Sequence, residues 1–326
     1  MDCKPVVFLS GSGRSGTNIT KAIFAKHSKV ASLPFEYRFS IDPKGVVDFY
    51  NSYTANWSPY MVSNKLKELE GYLHSLAKKN SLKFQLSKLI KKRFDRGRLL
   101  SPYPYAGWEL EKWMPGYEHF VEELMSDLVK FKYQANWPGE KGLQYKNELY
   151  YGAYLEKEDL KEVLIPFLDK CIGAYLELES KEFFIEDNTW SILYADSLFE
   201  LFPNSKLIHI IRDPRDVVSS LMKQRWSPDN LEDVVDWYGN IMKKWLVNRS
   251  KIDAERVLEI RLEDLLANKR EVILQMCQFS NIEFEERMMD VQLNKSNAGR
   301  YKKELSSEQL NYLELNLSTV LESYNY

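Results

Sequence analysis

The residues best suited to chemistry lie near the start of the chain, in a glycine-rich segment that contains one arginine. Gly11–Asn18 lies between an apolar run, Pro5–Ser10, and a run with helical spacing, Thr17–His27. Glycines let the backbone bring several N–H groups to one point, and a helix N-terminus adds partial positive charge. Arg14 adds a full charge and a guanidinium fork that suits oxyanions. The segment therefore predicts a site for a phosphate-like anion.

The residue order in this loop separates several classes of nucleotide-binding protein. An ATP-dependent kinase needs Lys and then Ser or Thr after the second glycine of its loop, whereas Gly16 is followed by Thr and Asn. A dinucleotide-binding fold needs three spaced glycines and an acid about twenty positions later. Gly11, Gly13 and Gly16 supply the glycines, and Glu36 supplies a nearby acid. The loop disfavours ATP chemistry and leaves dinucleotide binding open.

A second anion-binding cluster is predicted far downstream, at Arg212–Ser220. The apolar run Lys206–Ile211 predicts a strand that ends at Arg212, and Asp213 followed by proline is a strong helix start. Arg212 then stands at a strand end, and Ser220 stands two turns into the next helix. A ligand with a 5′ anion and a separate 3′ phosphate needs two such clusters. A surface ion pair is the alternative role for Arg212.

With these two motifs the sequence resembles the sulfotransferase superfamily. Gly11–Asn18 resembles the 5′-phosphosulfate loop of that family, and Lys206–Ser220 resembles its 3′-phosphate motif. The eight positions from Arg212 to Ser220 match the spacing of the motif. Glu259–Leu265 resembles a later strand and the turn that follows it. Two motifs in the right order and structural setting identify the family more strongly than the acceptor.

Phe202–Ile208 further resembles the tyrosylprotein sulfotransferases and the related bacterial small-molecule and carbohydrate branches. The resemblance covers the first forty residues and about 186–300, and it hardly covers the middle of the chain. It implies an α/β fold, with a P-loop-like parallel β-sheet flanked by helices and a mainly helical insertion. We place the insertion at 45–152, which is rich in tryptophan and tyrosine. Two roles have equal weight for this segment: it binds the acceptor, or it covers one face of the sheet.

The resemblance also implies a donor, 3′-phosphoadenosine 5′-phosphosulfate (PAPS), a product, 3′-phosphoadenosine 5′-phosphate (PAP), and no metal. The implied ligands of the 5′-phosphosulfate are Gly13, Arg14, Ser15, Gly16, Thr17 and Asn18. The implied ligands of the 3′-phosphate are Arg212 and Ser220. A loop near the C-terminus closes over the nucleotide in the family, and its best matches here are Gly299, Arg300 and Lys302. A plain basic turn fits these last three residues equally well.

Two residues are expected to act in catalysis. Sulfuryl transfer is close to phosphoryl transfer, so positioning and electrostatic stabilisation dominate, and Arg14 is the expected cation for the leaving group. Glu36 is the expected base, because a glutamate lies at nearly this distance from the loop in the tyrosylprotein and several bacterial branches. The apolar neighbours Leu33 and Phe35 are expected to raise its pKa. A pair with Arg38 is the structural alternative for Glu36.

One position departs from the pattern of the family. Relatives often carry a lysine shortly before the helix that leads into the 3′-phosphate strand, and Asp187 stands there instead. Either another cation substitutes for that lysine, or catalysis depends on Arg14 alone. The departure keeps a non-catalytic nucleotide-binding protein open as an alternative, beside an ATP-dependent small-molecule kinase.

Composition restricts the partners and the location. The net charge of -2 argues against nucleic acid, and no apolar run approaches the ~20 residues of a membrane span. Three widely spaced cysteines and four scattered histidines predict neither disulfides nor a metal site. We therefore expect a single cytoplasmic domain, 1–326, that acts on a hydroxyl or amine of a small-molecule or carbohydrate acceptor. The oligomeric state is left open.

Overall fold

Short apolar runs form the strands of a parallel sheet, because β-branched and aromatic side chains pack well where both faces of a sheet are covered. The structure, a computed structural model, describes residues 3–77, 108–135, 148–293 and 298–326. The strands in these residues are β1 (Val6–Gly11), β2 (Val30–Ala31), β3 (Phe131–Gln134), β4 (Glu148–Tyr151), β5 (Phe183–Asp187), β6 (Ser205–Ile211) and β7 (Val257–Arg261). The main sheet has five strands in the order β2-β5-β1-β6-β7, and all neighbouring pairs are parallel.

Helices lie between most of these strands and after the last of them. In chain order they are α1 (Thr17–Phe24), α2 (Val46–Tyr53), α3 (Pro59–Ala77), α4 (Leu110–Trp113), α5 (Tyr117–Leu128), α6 (Lys157–Glu179), α7 (Ala195–Leu201), α8 (Pro214–Leu221), α9 (Leu231–Arg249), α10 (Leu262–Ala267), α11 (Lys269–Ser280), α12 (Tyr301–Glu304), α13 (Ser307–Asn316) and α14 (Ser318–Ser323). Short 3-10 turns connect several of them, including one at Ser191–Tyr194 just before α7.

The chain divides into two compact units. The first, which we call the sheet unit, comprises Met1–Tyr37 and Lys181–Tyr326 and contains the five-stranded sheet. The second, Arg38–Ser180, we call the helical unit. It contains α2 to α6 and the antiparallel pair β3-β4. The predicted insertion, 45–152, lies within the helical unit, which extends beyond it at both ends.

Helices cover both faces of the five-stranded sheet. On one face, Leu9 of β1 and Ile210 of β6 pack with Ile23 of α1 in one buried cluster. On the opposite face, the His209 ring meets the Trp245 ring of α9 at a centroid distance of 4.8 Å. Successive strand residues face opposite sides, which explains why neighbouring residues of β6 enter different layers. The predicted α/β fold, with helices flanking a parallel sheet, is confirmed.

Local sequence signals placed several helix starts correctly. Asp213 caps α8 by accepting the backbone N–H of Arg215 at 2.9 Å, and Pro214 occupies the first turn. Ser306 and Gln309 form the expected capping box at the start of α13. Each cap satisfies an N–H group that the helix itself leaves without a partner. The cap of α8 fixes the start of the helix that contains Ser220.

Three elements differ from what the sequence predicts. Ser227 followed by proline predicts a helix start, but α9 begins at Leu231, because the Asn230 side chain accepts the backbone N–H of Asp233 at 2.8 Å and caps the helix there. Strand β5 lies where no strand is expected, since its apolar run is only three residues long. The pair β3-β4 interrupts the helical texture expected for 45–152, and β3 is too exposed to show a buried face in its sequence.

Candidate functional site

The glycine-rich loop joins β1 to α1 through a backbone with several positive φ angles. These are 80° at Gly13, 58° at Arg14 and 113° at Gly16. Glycine adopts positive φ readily, whereas other residues rarely do so. Gly16 is the N-cap of α1, and no side chain in the described residues caps this helix. The N-terminus of α1 thus offers N–H groups and its partial positive charge to an anion.

Two glycines of the loop lie against other parts of the sheet unit. A Cβ atom at Gly13 would lie 3.0 Å from Cη2 of Trp226, and one at Gly16 would lie 2.8 Å from Cδ1 of Leu262. Only glycine therefore fits both positions without displacing these neighbours. Ser15 is 1 % exposed, and its Oγ has no hydrogen-bond partner among the described residues. A buried hydroxyl without a partner costs stability, and its place in this loop fits an oxyanion ligand.

The steric role of Gly16 leads to a first prediction. Gly16→Ala is expected to lower the free energy of unfolding by about 1–3 kcal/mol, because alanine is strained at this positive φ and its Cβ meets Leu262. Gly71→Ala in α3 is the control, since nothing lies within 4 Å of its Cβ and helical alanine gains about 0.5–1 kcal/mol. Chemical denaturation measures both changes. Equal stability of the two variants would contradict the steric argument.

The structure brings the loop next to the second predicted anion cluster. Nε of Arg14 donates to Oγ of Ser220 at 3.0 Å. Nη1 of Arg212 donates to the carbonyl oxygen of Arg14 at 3.1 Å. Arg212 is 7 % exposed and forms an ion pair with the fully buried Asp216, so a pair on the surface is excluded. Direct hydrogen bonds therefore link the two clusters within the sheet unit.

The segment matched to the closing loop of the family packs against α8. The backbone N–H groups of Gly299 and Tyr301 donate to the Asp216 carboxylate at 2.7 Å and 3.1 Å. Gly299 has a φ of 71°, which turns the backbone there. The Lys302 ammonium lies 5.8 Å from the centre of the Tyr301 ring. The structure thus holds this segment beside the 3′-phosphate motif through its backbone.

Arg300 pairs with an acid of the same segment. Its guanidinium lies 2.6 Å from Glu304, which also pairs with Lys223 at 2.5 Å and accepts a hydrogen bond from Ser219. Hydrogen bonds from Arg300 first, then from Lys223 and Ser219, lower the pKa of Glu304 to about 2. Glu304 is therefore ionised at neutral pH. If Arg300 binds an anion, its pair with Glu304 has to open or be shared.

A further group of charged side chains surrounds the carboxyl end of β5. Nζ of Lys21 donates to the Phe35 carbonyl oxygen at 3.5 Å, which brings this cation to the residue before Glu36. Burial raises the pKa of Asp187, while the Lys21 charge and a hydrogen bond with Thr17 partly offset that effect. Lys21 is therefore a cation close to Asp187, which stands where the sequence resemblance leads to the expectation of a lysine. No motif indicates Lys21, because the fold brings it there.

Glu186 is a buried acid in the same group, with 1 % exposure. Burial raises its pKa well above the ordinary range, and the charges of Asp187 and Glu36 raise it further. Ser191 donates to its Oε2 at 3.1 Å, whereas its Oε1 has no partner within the described residues. Burial therefore favours the neutral form of Glu186, and Glu36 lies within its electrostatic range.

Glu186 also leads to a prediction about pH. Below the ordinary pKa of 4.5 the carboxyl is protonated in both the folded and the unfolded chain. Above it the unfolded chain releases a proton that the folded chain keeps, so the free energy of unfolding falls as the pH rises. Glu186→Gln removes this loss and is expected to raise Tm by about 2–5 °C at pH 7, and by nothing at pH 4.

Thermal unfolding at the two pH values measures this difference. Glu182→Gln is the control, because Glu182 is 58 % exposed in its pair with Lys29, and exposed pairs contribute little to stability. A stabilisation by Glu186→Gln that is the same at pH 4 and pH 7 would contradict the raised pKa of Glu186 in the folded chain.

The loop also contacts aromatic residues that no sequence motif indicates. Neighbouring rings of one cluster lie 5.5–6.3 Å apart, and its members are Trp190, Trp226 and Trp237. Trp226 reaches Gly13 of the loop, and it is 47 % exposed. The hydroxyl of Tyr238 is hydrogen-bonded to Ser12. Trp190 and Trp226 lie in separate connections, and Trp237 and Tyr238 lie in α9, so their spacing in the sequence carries no signal.

The described residues contain neither a membrane-spanning helix nor a metal-binding cluster. No helix there combines the length and the apolar character needed to cross a membrane. In the same part of the chain, no three His, Cys, Asp or Glu side chains are grouped so that they could hold a metal ion. The three cysteines, Cys3, Cys171 and Cys277, are free and buried. The site therefore consists of the loop, the 3′-phosphate motif, the 298–304 segment and the carboxylates near β5.

A family model described as the sulfotransferase family matches residues 5–286. The match covers most of the chain, and the chain therefore belongs to the sulfotransferase family. It includes the glycine-rich loop, Arg212 and Ser220, and it ends before the 298–304 segment. The resemblance that these motifs carry in the sequence is confirmed at the level of the family.

The individual relatives and solved structures share little sequence identity with this chain. The 3-beta-hydroxysteroid sulfotransferase of Cavia porcellus is 26% identical over 189 residues, which are 51% of this chain and 64% of the relative. The chain thus spans a little under two thirds of the length of that relative. The sulfotransferase domain of the curacin biosynthetic pathway shows 15% identity, with 97% and 98% coverage and a TM-score of 0.49. That of the Synechococcus PCC 7002 olefin synthase shows 15% identity, with 100% and 97% coverage and a TM-score of 0.47.

Proposed function

We propose that this chain is a PAPS-dependent sulfotransferase that moves a sulfuryl group to a hydroxyl or amine of a small-molecule or carbohydrate acceptor. The observation that carries the proposal is the direct link between the two anion clusters. Arg14 of the loop bonds to Ser220, and Arg212 bonds to the backbone of Arg14. A donor with anionic groups at both its 5′ and 3′ positions matches two clusters held this close together.

The residues present fit such a donor. The loop residues Gly13, Arg14, Ser15, Gly16, Thr17 and Asn18 would hold the 5′-phosphosulfate, and Arg212 with Ser220 would hold the 3′-phosphate. The hydroxyl of Ser15 is buried without a partner among the described residues, and the start of α1 has no side-chain cap there. Both features are expected where an oxyanion supplies the missing acceptors. Arg300 and Lys302 would add positive charge from the closing segment.

The chemistry follows from what these side chains can do. PAPS, when bound, supplies an activated sulfuryl group whose leaving group gains negative charge. Arg14 is exposed at the loop, and its guanidinium would stabilise that charge in a preorganised position. Lys21, close to Asp187, is a second cation on this side of the loop. Positioning by the loop backbone would provide much of the remaining rate enhancement.

Glu36 would accept the proton that the acceptor loses. Its side chain is half-buried, and its charge acts on Glu186 at the end of β5. Because burial favours the neutral form of Glu186, Glu36 is the carboxylate better suited to take a proton from the acceptor. Leu33 is fully buried and Phe35 is half-buried, so the segment around Glu36 is held in place by packing.

The acceptor is proposed from the surroundings of the loop. Trp226 is half-exposed beside Gly13 and offers a ring face to a bound molecule. The 45–152 segment of the helical unit is the proposed acceptor-binding region. The name of the guinea-pig relative specifies a steroid hydroxyl, which supports a hydroxyl as the accepting group. Three free cysteines support a reducing compartment, the cytoplasm.

The alternatives have less support from the site. A small-molecule kinase needs a lysine directly after the last glycine of the loop, and Gly16 is followed by Thr17. Lys21, one turn later, faces acidic residues at the end of β5. A non-catalytic nucleotide-binding protein would explain Asp187, but Lys21 supplies a cation near that position. The kinase alternative does not account for the link between Arg14 and Ser220.

The function is tested by the release of PAP from PAPS in the presence of a phenol, an alcohol, an amine and a sugar, with EDTA present. We expect PAP formation that depends on one of these acceptors and needs no added metal. PAP binding without release from PAPS under any condition would favour the non-catalytic alternative. Consumption of ATP by the protein, with Mg²⁺ and one of the same acceptors present, would favour the kinase.

A further inference from the structure

A buried carboxylate lies beside the arginine assigned to the 3′-phosphate. Asp216 has 0 % exposure, and its Oδ2 lies 3.3 Å from Nη2 of Arg212. A negative charge at this distance opposes the binding of a phosphate by the same arginine, because like charges repel most strongly where water is excluded. The presence of Asp216 therefore calls for a role that outweighs this repulsion.

The remaining contacts of Asp216 indicate that role. Its Oδ2 accepts the backbone N–H of Gly299 at 2.7 Å, and its Oδ1 accepts the backbone N–H of Tyr301 at 3.1 Å. One carboxylate thus holds two N–H groups of the closing segment and one guanidinium. The positive φ of Gly299, 71°, turns the chain in the middle of this arrangement. Hydrogen bonds to a charged acceptor are stronger than those between neutral groups.

Two other contacts join the same elements and give the arrangement its rigidity. The Arg215 guanidinium of α8 lies 4.7 Å from the centre of the Tyr301 ring. Glu304 of α12 accepts a hydrogen bond from Ser219, the neighbour of Ser220. The segment 298–304 is therefore attached to α8 at three places, and Asp216 is the attachment that also reaches Arg212.

We propose that Asp216 is a positioning residue that holds Arg212 and the 298–304 segment in one arrangement, ready for the 3′-phosphate. The inference rests on the proposed function, because it assumes a 3′-phosphate ligand. Asp216 does not touch the nucleotide in this role. It acts by fixing the direction of the Arg212 guanidinium and by keeping the segment with Arg300 and Lys302 close to it.

The two effects of Asp216, its repulsion of a phosphate and its positioning of Arg212, predict opposite results for Asp216→Asn. The substitution removes the negative charge beside Arg212, so repulsion alone predicts tighter binding of a 3′-phosphate. The positioning role predicts weaker binding, because the amide NH₂ group of asparagine faces either the guanidinium or a backbone N–H, all of them donors. The direction of the change therefore decides between the two effects.

The experiment compares the affinities of the full chain for PAP and for AMP, which lacks the 3′-phosphate, by calorimetry. Asp216→Asn is expected to weaken PAP binding about tenfold, which corresponds to the loss of one charge-assisted hydrogen bond, and to leave AMP binding within about twofold. Hydrogen exchange at Gly299 and Tyr301 is expected to become faster. Asp213→Asn is the control, because Asp213 caps the start of α8 and pairs with Arg215 instead of Arg212. It is expected to lower stability and to keep the preference for PAP.

A second variant approaches the same contact from the other side. Gly299→Ala strains the positive φ without a clash, since nothing lies within 4 Å of its Cβ, and it is expected to reduce the preference for PAP in the same way. This variant decides the question if Asp216→Asn fails to fold. Failure of the wild-type chain to bind PAP would overturn the proposed function itself. Wild-type binding with an unchanged or increased PAP preference in Asp216→Asn, or in Gly299→Ala if only that variant folds, would overturn the positioning role alone.

Discussion

Arg14→Ala is expected to lower kcat on the order of 10³-fold, the scale found for arginines that stabilise transferring groups. Arg14 belongs to the loop and reaches Ser220 through its Nε at 3.0 Å. Its charge therefore lies at the loop assigned to the 5′-phosphosulfate, where the leaving group would gain negative charge. A positioned cation stabilises that charge more than water does, because it needs no reorganisation during the reaction. Steady-state kinetics of PAP release measure the effect.

Arg14→Lys and Lys26→Ala are the matched variants. Arg14→Lys keeps the charge and loses the fork, so we expect it to recover only part of the activity. Lys26 lies exposed just after α1, and its removal changes the net charge of the protein by the same amount. We expect Lys26→Ala to behave as the wild type. Equal activity of Arg14→Ala and Lys26→Ala would remove Arg14 from the mechanism.

Glu36→Gln is expected to lower kcat by about 10²–10⁴-fold, the usual contribution of a general base, with the affinity for PAP unchanged. Glutamine keeps the shape of the side chain and cannot take a proton. The separation between kcat and nucleotide affinity is the informative result, because a structural role for Glu36 would change both. Kinetics give the first quantity, and calorimetry gives the second.

Glu271→Gln is the control for this prediction. Glu271 is an exposed acid of α11 in the same unit, and its replacement is expected to leave both quantities unchanged. A Glu36→Gln variant that binds PAP normally and turns over at the wild-type rate would exclude Glu36 as the base. Asp187 would then be the next candidate, because it lies at the end of β5 and burial raises its pKa.

The loop and the 3′-phosphate motif could be predicted because each is built from neighbouring residues with strong local signals. Glycines mark the turn before α1, and Asp213 with Pro214 marks the start of α8. The parallel sheet follows from apolar runs separated by helical segments. These signals depend on local backbone preferences, which a single sequence displays directly.

The contacts that complete the site could not be predicted, because they join residues far apart in the chain. Asp216 meets Gly299, and Trp226 meets Gly13, only after the strands have paired. Lys21 is an ordinary helix residue in the sequence, and only the position of β5 makes it a neighbour of Asp187. The burial of Glu186 depends on packing as well, and so does its raised pKa.

The most direct test of the central claim is a calorimetric titration of the chain with PAP, with NAD and with ATP and Mg²⁺ as controls. We expect PAP alone to bind tightly. Its affinity should fall about 10²-fold in Arg212→Ala and stay unchanged in Arg270→Ala, whose exposed side chain pairs with Glu286, once thermal unfolding shows that both variants are folded. No binding of PAP, or tighter binding of ATP or NAD, would contradict the proposal that two linked anion clusters form a site for the sulfuryl donor.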